Sequence, residues 1–322
     1  MQSPADEQSP GQGRLPPLVV LVGATAAGKT ALSVALAEAV GGEIVSADSR
    51  QVYRRMDVGT AKPTAEERRR VPHHLLDILD PDQTLGLAEY QKLALEAMAD
   101  ITGRGRTPIL VGGTGQYVMA VVEGWQVPHV PPDDGLRQQL YKDAARDGAE
   151  ALHARLRELD PVAAAAIDAR NVRRVVRAIE VCLVSGRRIS ALQTKLPPPY
   201  RVLIIGLQRS RDELYRRIDE RIDTMMRDGL EQEVRGLVAA GYGFDLPAMS
   251  GVGYGQFEPY LLGEASLDDV MRAIQRATRR FVRQQSNWYR ASDGRIRWFG
   301  AAPDPLAHVV GLVQGFVSNP GA

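Results

Sequence analysis

The eight residues Gly23-Ala24-Thr25-Ala26-Ala27-Gly28-Lys29-Thr30 constrain this chain more than any other stretch. They fit the pattern G-x-x-x-x-G-K-[ST]. They follow Leu18 to Val22, an apolar β-rich run, and precede Leu32, Ala35, Leu36 and Ala39 at helical spacing, with Gly41 and Gly42 as a stop. Strand, glycine loop and helix in that order predict the opening unit of a parallel α/β sheet. Glycines let successive backbone N–H groups close on phosphate oxygens at a helix N-terminus, Lys29 adds a point charge, and the Thr30 hydroxyl suits Mg²⁺. A polyphosphate site follows; which phosphate ester it takes does not.

The rest of the chain extends the same alternation. Glu43 to Ala47 reads as a second strand and His74 to Ile78 weakly as another. Pro108 to Val111 reads as a buried strand behind a helix whose face is Leu87, Tyr90, Ala94, Ala97 and Ile101. After Trp125 come Pro128, Pro131 and Pro132, then helical segments with no convincing strand up to the stop cluster Lys195 to Pro199; Val202 to Leu207 returns to the sheet. The expected organisation is a flexible tail over 1–16 and a P-loop NTPase-like parallel sheet core over 17–125 and 200–240. An inserted helical domain spans 126–199, and a C-terminal helical region spans 241–322. With 322 residues, the chain is long enough for this core and its accessory parts. The lone cysteine, Cys182, excludes an intramolecular disulfide framework, and no apolar run approaches the roughly 20 residues that span a bilayer. A cytoplasmic monomer without a membrane partner is expected.

Four further places carry chemistry. Asp48, in Ser46-Ala47-Asp48-Ser49-Arg50-Gln51, lies at the end of the second strand, where three roles stay open: Mg²⁺ ligand, general base, or cap of the next segment. A helix opens at Ser210 with Glu213 in a capping box and buries Leu214, Ile218, Ile222 and Met225. On it Arg216 can pair with Glu220 and Arg217 with Glu213, whereas Arg221 has no acid at three or four residues and is left for a distant partner or an anion. Arg170, Arg173, Arg174 and Arg177 share one helical face. Arg272, Arg276, Arg279, Arg280 and Arg283 share another, with Ile274, Ala277 and Phe281 largely opposite and no acid from Arg276 to Arg290. Net charge is only +1, so affinity for nucleic acid must come from such segregated faces. Five of the forty basic residues are lysines and the other 35 arginines, a bias that suits phosphate contacts and base stacking. His73 and His74, adjacent and so pointing apart, read as structural, as does Cys182 on an apolar helix side. A small-molecule or nucleoside kinase shares the loop, the second-strand acid and a helical lid, but gives the C-terminal arginine helix no task.

These pieces, taken in order, resemble the bacterial tRNA dimethylallyltransferases: GATAAGKT, SADSRQVY around Asp48, DVGTAKP from Asp57, PHHLLD from Pro72, LVGGTGQY around Thr114, RRVVRAIEV from Arg173, LYRRIDER from Leu214, SGVGYGQ from Ser250 and RRFVRQQ from Arg279. The likeness runs from about Leu18 to Phe299 and departs at Ala24, where many relatives carry proline. It implies that the loop Gly23, Ala24, Thr25, Ala26, Ala27, Gly28, Lys29 and Thr30 holds the diphosphate of dimethylallyl diphosphate, with Mg²⁺ at Thr30. Thr25 and Arg221 would then be donors to the leaving group, and Asp48 the base for an adenine N6 amine. It also implies a tRNA anticodon stem-loop as partner, contacted by Asp48, Ser49, Arg50, Gln51, Thr114, Arg137, Arg173, Arg174, Arg177, Ser250, Gly251, Gly253, Tyr254, Thr278, Arg279, Arg280, Arg283, Gln284 and Gln285. No DDxxD pair is present, so a prenyl donor has to be held by the loop.

Overall fold

The structure, a computed structural model, describes residues 15–128, 130–301 and 304–319. Among them six strands form one sheet: β1 (Pro17–Gly23), β2 (Gly42–Ser46), β3 (His73–His74), β4 (Thr107–Val111), β5 (Arg201–Gln208) and β6 (Ile296–Gly300), in spatial order β3-β2-β4-β1-β5-β6. Every pairing is parallel. Leu18 to Val22 are all fully buried, as a strand covered on both faces requires, and Leu21 stands opposite Val111 on one side and Ile205 on the other. Each such side chain contributes roughly 1.5–3 kcal/mol through burial. The C-terminal ends of β1, β2, β4 and β5 share one edge, the edge where parallel sheets build sites.

The helices are α1 (Lys29–Val40), α2 (Ala65–Arg70), α3 (Leu87–Gly103), α4 (Gly115–Val122), α5 (Asp134–Asp147), α6 (Ala149–Leu159) and α7 (Pro161–Ala166). They continue with α8 (Val172–Ser185), α9 (Ile189–Leu192), α10 (Arg211–Arg227), α11 (Leu230–Ala239), α12 (Glu258–Leu261), α13 (Leu267–Gln285) and α14 (Leu306–Ser318). The described residues divide into two compact units: one, drawn from 15–85, 93–118 and 199–319, holds the sheet, and the other, drawn from 86–92 and 119–198, holds α5 to α9. In the second unit Leu140, Leu152, Leu156, Val175 and Ile179 form the core.

Four expectations change. The tail expected over 1–16 lies, up to residue 14, outside the described residues; Pro16 already accepts a hydrogen bond from Arg201 N–H of β5 at 2.9 Å. The strand expected from His74 to Ile78 is only two residues long, because positive φ at Leu75 (62°) and Asp77 (55°) breaks the extension. The stretch from Gly241 to Gly300 is not helical throughout: it ends in β6, and this segment joins the sheet unit instead of forming a separate helical region. Five edge residues, of which only Ile296 is buried, give a weak local signal. What admits them is Gly206 of β5, where a Cβ would meet the Trp298 ring at 2.5 Å. Finally, Ser210 caps α10 by accepting from Glu213 N–H at 3.3 Å, but Glu213 pairs with Arg209, so the reciprocal half of the capping box is missing.

Candidate active site

The glycine loop leaves β1 and enters α1 at Gly28, whose φ of 105° reverses the chain. No side chain caps α1, so its first N–H groups stay available to an anion, as in other helix-terminal phosphate sites. Lys29 Nζ donates to the carbonyls of Gly23 and Ala24, both at 2.9 Å, which holds the ammonium inside the curve of the loop. Burial and the like charge of Arg221 push the Lys29 pKa down from 10.5 to about 8, while Asp48 pulls it back up. The buried cation therefore opposes folding. That cost is fully present below pH 8 and is relieved between 8 and 10.5. A bound diphosphate would reverse it by restoring the charged form.

Two arginines that the sequence reading did not single out for this place hold the loop from outside. Arg217 Nε donates to Ala26 O at 2.8 Å and Arg209 Nε to Ala27 O at 2.9 Å. The expected Arg217–Glu213 pair is absent because Arg209 takes Glu213. Anchoring consecutive carbonyls in this way also supports the positive φ (66°) of Ala26, a conformation costly for a residue with a Cβ. On the other side Gln285, only 3% exposed, accepts from Thr25 N–H at 2.8 Å and donates to Gly113 O at 3.0 Å. Gln285 was expected to touch RNA; both ends of its amide instead join the loop to the β4–α4 turn. Gly113 is required there, since a Cβ would lie 2.4 Å from the Gln285 amide nitrogen.

Asp48 follows β2. Its Oδ1 accepts from the N–H groups of Arg50 (2.9 Å) and Gln51 (3.4 Å), so one oxygen does cap the next turn. Among the described residues Oδ2 accepts nothing and remains available. Ser49 N–H donates to Thr114 Oγ1 at 3.0 Å, tying this loop to the turn after β4. Arg50 reaches the carbonyls of Pro247 (2.5 Å) and Ala248 (3.2 Å) and the Ser250 hydroxyl (3.3 Å). Arg221 comes from α10 with a single hydrogen bond among the described residues, from Nη2 to Thr60 O at 3.5 Å; burial disfavours its charge and Asp48 supports it. Lys29, Asp48 and Arg221 thus form one electrostatic group. Tyr289, which follows the arginine face of α13, is 5% exposed, and its hydroxyl has no hydrogen-bond partner among the described residues. Burial and the charge of Asp48 both push its pKa up, so it stays a neutral donor.

The hydroxyl of Thr30, in the first turn of α1, makes no hydrogen bond among the described residues, which suits it to a cation shared with phosphate oxygens. Described residues contain no group of three or more His, Cys, Asp or Glu able to hold a metal, so any Mg²⁺ here must take most of its ligands from substrate and water. His74 pairs with Glu43 at 2.8 Å and His73 with Val71 O at 2.8 Å, both structural contacts.

Several residues expected to meet RNA are engaged within the protein. Tyr254 is fully buried with its hydroxyl on Glu233 at 2.7 Å, so it offers nothing to a ligand. Gly253, at φ 103°, donates its N–H to the Gln256 side chain at 2.8 Å, and the Thr278 hydroxyl returns to Ile274 O of its own helix at 2.8 Å. Arg279 pairs with Asp219 of α10 at 2.7 Å and stacks 5.0 Å above the Tyr215 ring, so the acid that its own helix lacks comes from elsewhere. Arg283 reaches the Tyr215 hydroxyl at 3.3 Å. Of the residues expected opposite the arginines, Ile274 is buried, together with Val270 and Val282, whereas Phe281 is 38% exposed. In the other unit Arg137 and Arg177 converge on Glu180 at 2.8 and 2.5 Å, and Arg170 pairs with Asp168 ahead of α8. Arg173, Arg174, Arg276 and Arg280 have no ion pair among the described residues.

The sequence profile of the IPP transferase family matches residues 51–292. The chain is 54% identical over 287 residues to the tRNA dimethylallyltransferase of Chloroflexus aggregans, covering 89% of this chain and 97% of that one. It is 50% identical over 298 residues to the protein of that name from Roseiflexus castenholzii, covering 92% and 97%. Among solved structures it resembles the tRNA isopentenylpyrophosphate transferase of Bacillus halodurans, at 38% identity and a TM-score of 0.70 over 94% of this chain and 97% of that one. A eukaryotic dimethylallyltransferase acting on tRNA shares the fold at 23% identity, with a TM-score of 0.79 over 94% and 80%. With a family profile over most of its length and a relative 54% identical over 89% of it, this chain belongs to the IPP transferase family.

Proposed function

We propose that the protein transfers a dimethylallyl group from dimethylallyl diphosphate to the N6 amine of the adenosine 3′ to the tRNA anticodon, position 37, releasing pyrophosphate. The observation that supports this most is Asp48: an acceptor with one oxygen engaged and one available, sharing an electrostatic group with Lys29 and Arg221 at a phosphate loop. A kinase would share the loop and the acid but gives the un-neutralised arginines of α13 no task, whereas a tRNA substrate does.

In this reading the N–H groups of the loop and Lys29 receive the diphosphate. The allylic C–O bond breaks, and its electron pair leaves on the bridging oxygen, where Thr25 and Arg221 are the donors. N6 forms the new bond to the allylic carbon and gives its proton to Asp48. Thr30 would hold a Mg²⁺ ion, whose charge would offset that of the diphosphate. Gln285 fixes the backbone that carries the Thr25 hydroxyl, and Arg209 and Arg217 hold the loop carbonyls outward. An adenine stacked in an anticodon loop cannot enter such a pocket, so the base is flipped out. The un-neutralised arginines, Arg173 and Arg174 in one unit and Arg276 and Arg280 in the other, are the residues we assign to the RNA backbone. With tRNA as substrate, the protein works in the cytoplasm.

Asp48→Asn tests the assignment. Asparagine keeps the Oδ1 acceptor for Arg50 and Gln51 N–H, so the loop survives while the base is lost. Single-turnover transfer should fall by about 10³-fold with tRNA affinity changed by less than about twofold. Transfer at the wild-type rate by this variant would remove Asp48 from the chemistry.

A further inference from the structure

Glu233 of α11 lies outside the phosphate loop, yet its carboxylate gathers four donors. Oε2 accepts from Asp57 N–H and Val58 N–H, both at 2.8 Å; Oε1 accepts from Gly59 N–H at 3.0 Å and from the Tyr254 hydroxyl at 2.7 Å. Gly59 permits this closure, since a Cβ there would sit 2.5 Å from the Tyr254 ring. The next residue, Thr60, turns its carbonyl toward two side chains of the active site: Gln51 Nε2 at 3.3 Å and Arg221 Nη2 at 3.5 Å. Lys62 closes the segment from below, its side chain 1% exposed, with Asp57 at 2.5 Å and Asp77 at 2.6 Å.

Arg221 has no acid three or four residues away on its helix and no other hydrogen bond among the described residues, so the place of its guanidinium depends on where the Thr60 carbonyl stands. That carbonyl is carried by a turn whose three preceding N–H groups all end on one carboxylate. A carboxylate can receive four donors at once; the amide of glutamine can accept only on its single oxygen and turns N–H groups toward the backbone donors. We infer that Glu233 is a positioning residue for prenyl transfer, acting through the 57–60 turn on Arg221. The inference rests on the leaving-group role proposed above for Arg221.

Its test is a double-mutant cycle on the single-turnover rate at saturating tRNA, with tRNA affinity and melting temperature measured alongside. Glu233→Gln should slow transfer roughly 10- to 100-fold, the range for a displaced reactive group, with tRNA affinity altered less than about twofold. In an Arg221→Lys background, itself slowed, the same change should cost less than about twofold, because the group it positions is already gone. Equal losses from Glu233→Gln in both backgrounds would mean a purely structural role and overturn the inference. An Arg221→Lys protein with the full rate would instead remove the role of Arg221 on which it rests. Tyr254→Phe, which deletes one donor and keeps the packing, provides a milder form of the same cycle if Glu233→Gln fails to fold. Its loss of rate should likewise vanish in the Arg221→Lys background, and persistence of that loss overturns the inference.

Discussion

The arginine faces on α8 and α13 share one spacing and differ in what neutralises them. On α8 the anchor is Glu180, with 0% exposure, on which Arg137, Arg177 and the Asp133 N–H all converge. On α13 the anchor is Asp219, 36% exposed and donated by α10, which holds Arg279 above Tyr215. In both, neighbours one turn away carry charge with no acid beside them. Equal spacing therefore conceals two functions: some arginines brace the fold, others present charge, and the depth of the acid decides how firm the brace is.

This difference orders the expected effects. Glu180→Ala leaves two half-buried guanidinium groups and a backbone N–H without their acceptor, and should lower stability by about 3 kcal/mol. Burial pushes the Glu180 pKa up, but the hydrogen bonds of Arg137 and Arg177 outweigh it and the net value lies below 4.5. The contribution is thus present above pH 4.5 and lost on acidification, which chemical unfolding at two pH values would check. Asp219→Ala, breaking a pair whose acid is partly exposed, should cost less, about 1 kcal/mol in the same assay. Equal losses would erase the distinction between the anchors. Smallest in stability but not in binding, Arg276→Ala with Arg280→Ala should leave unfolding unchanged. It should reduce the slope of log tRNA affinity against log salt by about 1 to 2. An unaltered slope would take α13 out of the RNA interface.

The phosphate loop was legible because its determinants are contiguous: strand, glycines, lysine and helix lie within one stretch, and local physics fixes them. Asp48 was visible as a candidate yet undecided among Mg²⁺ ligand, base and cap, and one of its oxygens does cap the following turn. What stayed hidden depends on distance along the chain. Arg217 meets Ala26 across 191 positions and Arg209 meets Ala27 across 182, and helical spacing alone pointed Arg217 to the wrong acid. β6 was missed because an edge strand with half-buried residues carries little alternation, and the glycine that receives Trp298 sits in another strand. One overlooked signal was composition: in a chain with five lysines, Lys29 sits in the phosphate loop and Lys62, its side chain 1% exposed, pairs with Asp57 and Asp77. Tyr254 and Gln285 read as surface contacts by resemblance, and only burial shows that they brace the site from within.

The most direct measurement is a single incubation of the protein with tRNA, dimethylallyl diphosphate labelled in its prenyl group and ATP labelled in its γ-phosphate. The account predicts prenyl label in the tRNA with one pyrophosphate released per group transferred and the ATP intact. Phosphate label in the RNA, or ADP formed in step with turnover, would contradict it.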